Sequence, residues 1–504
     1  ILGFTRDMVL AWFVGTGLAA DAFIVAFRIP NLLRRLFAEG SLTISFIPVF
    51  TEYSLKRGRE EAFMLARSAW ALLAIVLAGL TLLGILFAPL IVTINAPGFV
   101  SSPDKFDLTV LLTRIMFPYI FFISLVALAM GILNVLGHFC APAIAPALLS
   151  VAMIGSVFLI APYLEKPTMG LAIGVVIGGG LQLALQIPFL IKKGFHLFVR
   201  GPLYHPALKR IGLLLVPAIF GSAVYQIASI VMTILASLLP EGSVSYLYYA
   251  DRLVQFPLGV FAISLGTAVL PSLAKQAALG DMDGLRSSFS YAMRLVFFIT
   301  VPAMTGLIIL REPIIKLLFE RGAFGQEATR LTAEALLFYA LGLCAFSGVR
   351  IVAPTFYALQ DTKTPVKMAV ISLIVNIAAG IVLMGPMRHG GLALATSLGS
   401  AVNFTLLIYA LRKRLGRIGA HEIIRSLLRT AVSAAVMGAV VGSVALWCVP
   451  KCVGSTWYLV VCVLGSILLG VLIYGVCAVL LRSRELGAMV GIISGSFRKK
   501  DVSS

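Results

Sequence analysis

About fourteen apolar runs, each near the 20 residues that a bilayer-crossing helix requires, follow one another along this chain, and that repetition limits the fold more than any motif does. They centre near residues 10, 27, 80, 122, 152, 180, 222, 258, 299, 343, 376, 400, 436 and 468. Inside a bilayer every backbone N–H and C=O must find its partner within the protein, so only helices and closed barrels can span it. Continuous apolar runs of this length are helical, whereas a barrel would alternate apolar and polar residues. With 60% hydrophobic and 12% charged residues over 504 positions, a soluble core is excluded. The expected fold is therefore an all-α polytopic membrane protein.

The formal net charge is +19, which in a soluble chain would point to nucleic acid. Here the basic residues fall in short loops between apolar runs, where positive-inside topology accounts for them. Lys56, Arg57 and Arg59 follow the second run; Lys192, Lys193, Arg200, Lys209 and Arg210 follow the sixth; Arg412, Lys413, Arg414, Arg417, Arg425 and Arg429 follow the twelfth. The odd-numbered exits carry little beyond Lys105, Lys166, Arg388, Lys451 and an amphipathic loop with Arg311, Lys316 and Arg321. Both termini are thus expected in the cytoplasm, with no nucleic acid as partner. The six cysteines lack metal-ligand spacing and read as small buried hydrophobes, although Cys448 and Cys452 flank an outward loop at a distance a disulfide could bridge. No hydrolase, nucleotide-binding or metal motif is present in the sequence, so neither cofactor nor metal is expected.

A weak internal repeat organises the runs. Leu133 to Val151 aligns with Phe356 to Ile374, pairing Leu136 with Leu359 and Pro142 with Pro365, an offset of 223. Arg28 in AFRIP aligns with Arg252 in ADRLV at an offset of 224, and Pro48 precedes Pro271 by 223. The offset spans six helices, an even number, so both copies enter the membrane from the same side and form a parallel repeat. Two six-helix lobes are expected, 1–200 and 201–415, followed by 416–504 with two further helices and a basic tail. The repeat also predicts a truncated first helix, its start lying about 19 residues upstream of Ile1.

Ionisable residues inside the runs are costly, about 2.5–3.5 kcal/mol each at bilayer depth, and survive mainly where they face a bundle interior or a wet cavity. Arg6 and Asp7 stand in the first run, and DAFIVAFRIPNLLRRLFAE, from Asp21 to Glu39, places Asp21, Arg28, Asn31, Arg34, Arg35 and Glu39 in and around the second. Asp251 and Arg252 occupy the repeat-equivalent place in the second lobe. Arg114 and Arg350 rank lower, since snorkelling explains them equally well. For Arg34 and Arg35 a cytoplasmic helix end is the competing explanation, and for Asp7 and Asp251 it is simple neutralisation of the arginine alongside. An excess of arginine over carboxylate suits a phosphate or diphosphate, because the planar guanidinium offers bidentate bonds and keeps its charge when partly desolvated.

GFTRD (Gly3 to Asp7), AADAFIVAFRIPNLLRRLFAEG (Ala19 to Gly40), YADRLVQFPLGV (Tyr249 to Val260), LPSLAK (Leu270 to Lys275) and FYALQDTKTPVK (Phe356 to Lys367) closely resemble the MurJ/MviN family of bacterial lipid II flippases, collinearly over nearly the whole chain. The resemblance implies a multidrug/oligosaccharidyl-lipid/polysaccharide (MOP) exporter fold with fourteen helices, the last two forming a groove for the polyprenyl tail. It also implies that Arg6, Arg34 and Arg252 bind substrate and that Asp7, Asp21, Asn31 and Glu39 complete the polar site, to which the charge pattern itself adds Asp251 beside Arg252. Lipid II, the undecaprenyl-diphosphate-linked disaccharide pentapeptide, is the implied partner, together with membrane lipids and the cell-wall synthesis machinery. Where some relatives carry a glutamate three residues after the second-lobe arginine, this chain has Gln255. The resemblance raises sodium binding too, but Asn376 and Thr396 come without a carboxylate in spans seven or eleven, which is a poor donor set for a hard cation.

Together these readings imply no enzyme but a transporter of the bacterial inner membrane, in which the lobes rock to carry the headgroup from the cytoplasmic to the periplasmic leaflet. Two rivals within the superfamily stand beside it: a flippase of another polyprenyl-linked oligosaccharide, and a cation antiporter, which would want carboxylates in its cavity. A non-transporting scaffold is the rival of a different class.

Overall fold

The computed structural model describes residues 2–34, 43–196, 204–448, 450 and 456–487, with side chains at all of these except 43, 44 and 216–225. Glu39, Arg35 and Cys452 lie outside the described residues. Every regular element among the described residues is a helix. Among the described residues nine helical stretches, some of them built from more than one helix, are long and apolar enough to cross a membrane, or ten if the helices Gln326–Leu341 and Leu343–Ala358, bent by 41° at their junction, make one span.

The chain forms two compact units, one of Ile1–Ser245 with Arg321–Phe324 and one of Tyr246–Glu320 with Gly325–Ser504. The first holds α1 (Leu2–Val14), α2 (Leu18–Leu33), α3 (Thr43–Lys56), α4 (Arg59–Leu86), α5 (Ala88–Asn95), α6 (Pro103–Met116), α7 (Tyr119–Val135), α8 (Cys140–Leu159), α9 (Thr168–Lys192) and α10 (Pro206–Ser237). α10 packs against α3, α4 and α5. The boundary between contact units therefore falls one helix later than the repeat boundary expected near residue 200. α11 (Ser243–Pro257) begins in the first unit and continues into the second, which holds α12 (Ser264–Ala278), α13 (Met282–Ile309), α14 (Arg311–Phe319), α15 (Gln326–Leu341), α16 (Leu343–Ala358), α17 (Lys363–Leu415), α18 (Ala420–Cys448) and α19 (Thr456–Leu480).

Within the first unit the closest helix pairing is α8 against α9, and the reason is visible in sequence. Gly170, Gly174 and Gly178 recur every fourth residue, which puts them on one face of α9. A Cβ at these positions would come within 2.7 Å of Ala161 Cα, 2.2 Å of Ser156 Oγ and 2.8 Å of Leu149 Cδ1. Small residues let membrane helices approach closely, which is where their packing stability arises. Gln182 and Gln186 continue the same row, and their Nε2 groups donate to the α8 carbonyls of Ala145 at 2.9 Å and Ala141 at 3.2 Å. The face thus changes from steric fit to hydrogen bonding along its length.

At the end of α1, Gly15 turns the chain with φ +65°, and a side chain there would meet Ala323 O at 2.3 Å. Ala323 N in turn donates to Trp12 O at 2.9 Å, so the segment 321–324 is tied to α1 and counts with the first unit.

In the second unit α17 is two helices joined at Arg388, whose φ of 47° and ψ of −130° are non-helical. The break lets the halves fold back, and Ser372 Oγ donates to Gly399 O at 2.6 Å. α18 packs on α13 and α19, where Tyr474 of α19 donates to Phe298 O at 2.7 Å. Leu428, Val432 and Val436 of α18 and Leu468, Val471 and Leu472 of α19 remain exposed. Apolar side chains facing outward in this number suit contact with lipid rather than water.

Candidate functional site

A cavity of about 720 Å³ opens within the first unit, and two of the expected arginines line it. Arg6 reaches it from α1, and Arg34 from the residue that follows α2. Much of the wall is apolar: Ile123, Val126 and Met130 of α7 and Leu149 of α8. Polar lining beyond the arginines comes from Asn134 of α7, Ser150 of α8 and Gln182 of α9.

The arginines are held by short local contacts. Arg6 donates to Asp7 Oδ1 from Nε at 3.0 Å and from Nη2 at 2.7 Å. Asp7 is 2% exposed, so its negative charge lies behind the guanidinium rather than at the surface. Arg34 Nε donates to Asn31 Oδ1 at 2.9 Å. Asn31 can position the guanidinium without neutralising it, since an amide carries no net charge. Among the described residues two guanidiniums and one carboxylate stand here, and low-polarity walls strengthen the attraction of a guanidinium for an anion.

Asp21 is placed differently from the expectation that grouped it with these residues. It is 1% exposed and does not line the cavity. Its Oδ2 accepts from Lys105 Nζ at 2.7 Å and Gly242 N at 2.8 Å, and its Oδ1 from Ser245 N at 2.9 Å and Ser245 Oγ at 2.6 Å. These four donors occupy about all the lone-pair directions of a carboxylate. Asp21 thereby anchors the start of α11, and its negative charge sits where the first backbone N–H groups of that helix point. Lys105, read from sequence as an outward loop cation, is buried with it and stands 4.2 Å from the centre of the Phe99 ring. Asp21 and Ser245 are 224 residues apart, the offset of the sequence repeat.

Arg28 donates to Thr233 Oγ1 of α10. Asp251 and Arg252 lie on α11 in the second unit, both half-buried. Asp251 Oδ1 accepts from Gln255 Nε2 at 3.4 Å, and the Arg252 guanidinium stands 4.6 Å from the centre of the Tyr248 ring. Arg114 and Arg350 are exposed. Thus the structure brings together Arg6, Asp7, Asn31 and Arg34, sets Asp21 apart from them, and carries Asp251 and Arg252 in the other unit. Asn134, Ser150 and Gln182 escaped a search led by charge. The four-residue register of α9 was the signal that could have found Gln182.

The family model described as lipid II flippase MurJ matches residues 10–467. A probable lipid II flippase MurJ of Vibrio cholerae serotype O1 is 39% identical over 414 residues, covering 81% of this chain and 79% of its own length. The lipid II flippase MurJ of Burkholderia cenocepacia is 40% identical over 418 residues, with 82% and 81% covered. A probable lipid II flippase MurJ of Haemophilus influenzae is 34% identical over 506 residues, with 96% and 98% covered. Among solved structures, a lipid II flippase MurJ in an inward closed conformation superposes with a TM-score of 0.79 at 27% identity, over 95% of this chain and 96% of that one. An inward-facing multidrug resistance transporter of the MATE family, in the MOP superfamily, gives a TM-score of 0.70 at 16% identity over 83% of this chain and 96% of that one, which speaks to the fold alone.

Proposed function

Since this chain belongs to the MurJ family of lipid II flippases, we infer that it moves lipid II across the bacterial inner membrane, a transporter and not an enzyme, with Arg6 and Arg34 holding the diphosphate. The observation that carries the assignment of residues is the placing of both guanidiniums at one apolar-walled cavity. A diphosphate has more anionic oxygens than one guanidinium can satisfy, and paired forks match them through charge-assisted bonds. Asp7 and Asn31 orient the two forks. Arg252 is proposed as a further guanidinium for the headgroup on the resemblance of YADRLVQFPLGV, with Asp251 beside it.

The direction proposed is from the cytoplasmic to the periplasmic leaflet, by alternating opening of the cavity, with both termini in the cytoplasm. The undecaprenyl chain stays in lipid throughout, and the exposed apolar faces of α18 and α19 offer it a track. Enzymes that polymerise the cell wall on the far side would take the product.

Complementation of a bacterium depleted of its own lipid II flippase tests this reading, scored by labelled lipid II at the periplasmic face. Rescue by the unaltered chain and its loss with Arg6→Ala or Arg34→Ala, at equal protein levels, is the expected result. Rescue undiminished in both variants would remove the cavity from the pathway.

A further inference from the structure

Two turns at equivalent places of the repeat share a backbone and differ at one side chain. In the first, Gly137 takes φ +73°, Leu136 N donates to Ile132 O at 3.0 Å and His138 N to Leu133 O at 2.8 Å. In the second, 223 residues on, Gln360 takes φ +58°, Leu359 N donates to Thr355 O at 3.2 Å and Asp361 N to Phe356 O at 2.9 Å. Each turn starts a helix, α8 or α17, whose own N-cap residue makes no side-chain bond. That task falls to His138 in one and Asp361 in the other. Ala141 N donates to His138 Nε2 at 3.4 Å, as Thr364 N donates to Asp361 Oδ1 at 3.0 Å.

Chemically the two caps are unlike. A backbone N–H can only donate, so the bond to Nε2 requires a neutral ring with its hydrogen on Nδ1. Protonation turns Nε2 into a donor and sets a cation at the positive end of the α8 dipole. Imidazole ordinarily titrates between about pH 5 and 8, a range in which a carboxylate stays ionised. Nothing around His138 takes up the added charge. Among the described residues it forms no ion pair. α9 presents the Phe189 ring, 4.5 Å away between centres, with Lys192 Nζ over that ring at 5.9 Å, and the other titratable group of the turn is the exposed Cys140. Asp361 is held further by Thr364 Oγ1 and Arg414 Nη1.

We propose that His138 is a pH-sensitive latch on the cavity wall: neutral, it holds the first turn of α8, and protonated, it lets that turn fray. The turn joins α7 to α8, and both line the cavity, through Asn134 before it and Ala145 and Pro146 after it. Resting on the flippase reading above, lipid II binding should weaken as pH falls, while the second repeat, capped by a carboxylate, does not respond.

Hydrogen exchange of the purified full chain in nanodiscs tests this, corrected for intrinsic pH dependence and read from about pH 8 to about pH 5.5. Protection of Ala141, Ala143 and Ile144 should fall roughly fivefold, the equivalent of one lost cap, while Thr364 and Val366 keep theirs. His138→Asp, which copies the second repeat, should hold its protection throughout. No fall in the unaltered protein would overturn the proposal, a comparison of two turns that needs no variant to fold. An equal fall in His138→Asp would overturn it too. Lipid II affinity of the same samples should drop by a similar factor in the unaltered chain and stay level in the variant. Affinity unchanged by pH despite lost protection would overturn the link to the cavity. The expected change in protection, in a chain that binds lipid II at neither pH, would overturn the flippase reading and leave the cap standing.

Discussion

Asp21 and Arg34 stand thirteen positions apart in one charged stretch, yet the structure uses them in opposite ways. Asp21 is enclosed and met by four donors from two distant segments of the chain. Arg34 lines a cavity, its Nε oriented by Asn31. A buried ion whose bonding directions are all filled joins parts of the fold, whereas an ion that lines a cavity is placed within reach of a ligand. What each side chain faces, other parts of the chain for Asp21 and a cavity for Arg34, separates the two positions more than burial alone does.

The largest effect should come from the cavity side. Arg34→Ala should lower lipid II translocation by at least about 100-fold with little change in thermal unfolding, since charge-assisted bidentate contacts to phosphate are lost; Arg6→Ala should lower it as far and also lower the unfolding temperature, because Asp7 is left buried without its guanidinium. Arg34→Lys should recover only part of the activity, because lysine keeps the charge without the planar fork. If Arg34→Ala instead unfolds at markedly lower temperature, the contrast with Asp21 fails.

Next comes the enclosed pair. Asp21→Ala leaves Lys105 buried without its carboxylate, and removing one partner of a buried pair typically costs about 3–5 kcal/mol. A lowered unfolding temperature should follow, and Asp21→Asn with Lys105→Met should recover much of it. Full stability in Asp21→Ala would show that the four bonds contribute nothing net. Reduced transport by that variant at full stability would move Asp21 to the cavity's side of the comparison.

A third test extends the comparison to a carboxylate at the end of a membrane helix. Asp361, in the turn before α17, accepts from Thr364 N at 3.0 Å and Thr364 Oγ1 at 2.8 Å, and Arg414 Nη1 lies 2.7 Å away. The Thr364 donors, with a smaller contribution from Arg414, hold its carboxyl below the ordinary value of 3.8. A depressed folded-state pKa adds stability that is present above the unfolded value and lost as pH falls through the folded one. Asp361→Asn should therefore unfold at lower temperature than the unaltered chain at neutral pH, with the gap closing as pH drops below 3.8. A gap independent of pH would assign the effect to shape instead of charge.

The smallest effect should come from the solvated pair Arg210 and Glu52, 2.8 Å apart with Arg210 58% exposed. Arg210→Gln should leave unfolding within experimental scatter at moderate salt, since water and ions screen such pairs. A shift comparable to that of Asp21→Ala would show that exposure is the wrong criterion.

Much of the architecture was legible before any coordinates. Apolar runs and their lengths dictate membrane helices, because the bilayer imposes one requirement on every residue of a span. The stretch from Asp21 to Arg34 announced function or structure, because charge at that depth needs a reason. Which of the two it served at each residue was not legible. Asp21 depends on Lys105, Gly242 and Ser245, which are 84, 221 and 224 residues away, and no local pattern reports a partner at that distance. Gln182 shows the same limit from the other side: its four-residue register with three glycines was plain in sequence, but its place at a cavity was not.

The sequence by itself determined the fold class, the family and the small set of residues able to meet a diphosphate, because each depends on composition, period or local motif. Only the tertiary structure decided that Arg6 and Arg34 share a cavity, that Asp21 closes a knot with Lys105 and the start of α11, and that Gln182 lines that cavity while its Nε2 ties α9 to α8. Those decisions depend on which distant groups approach within hydrogen-bonding distance, and only packing of the whole chain sets that.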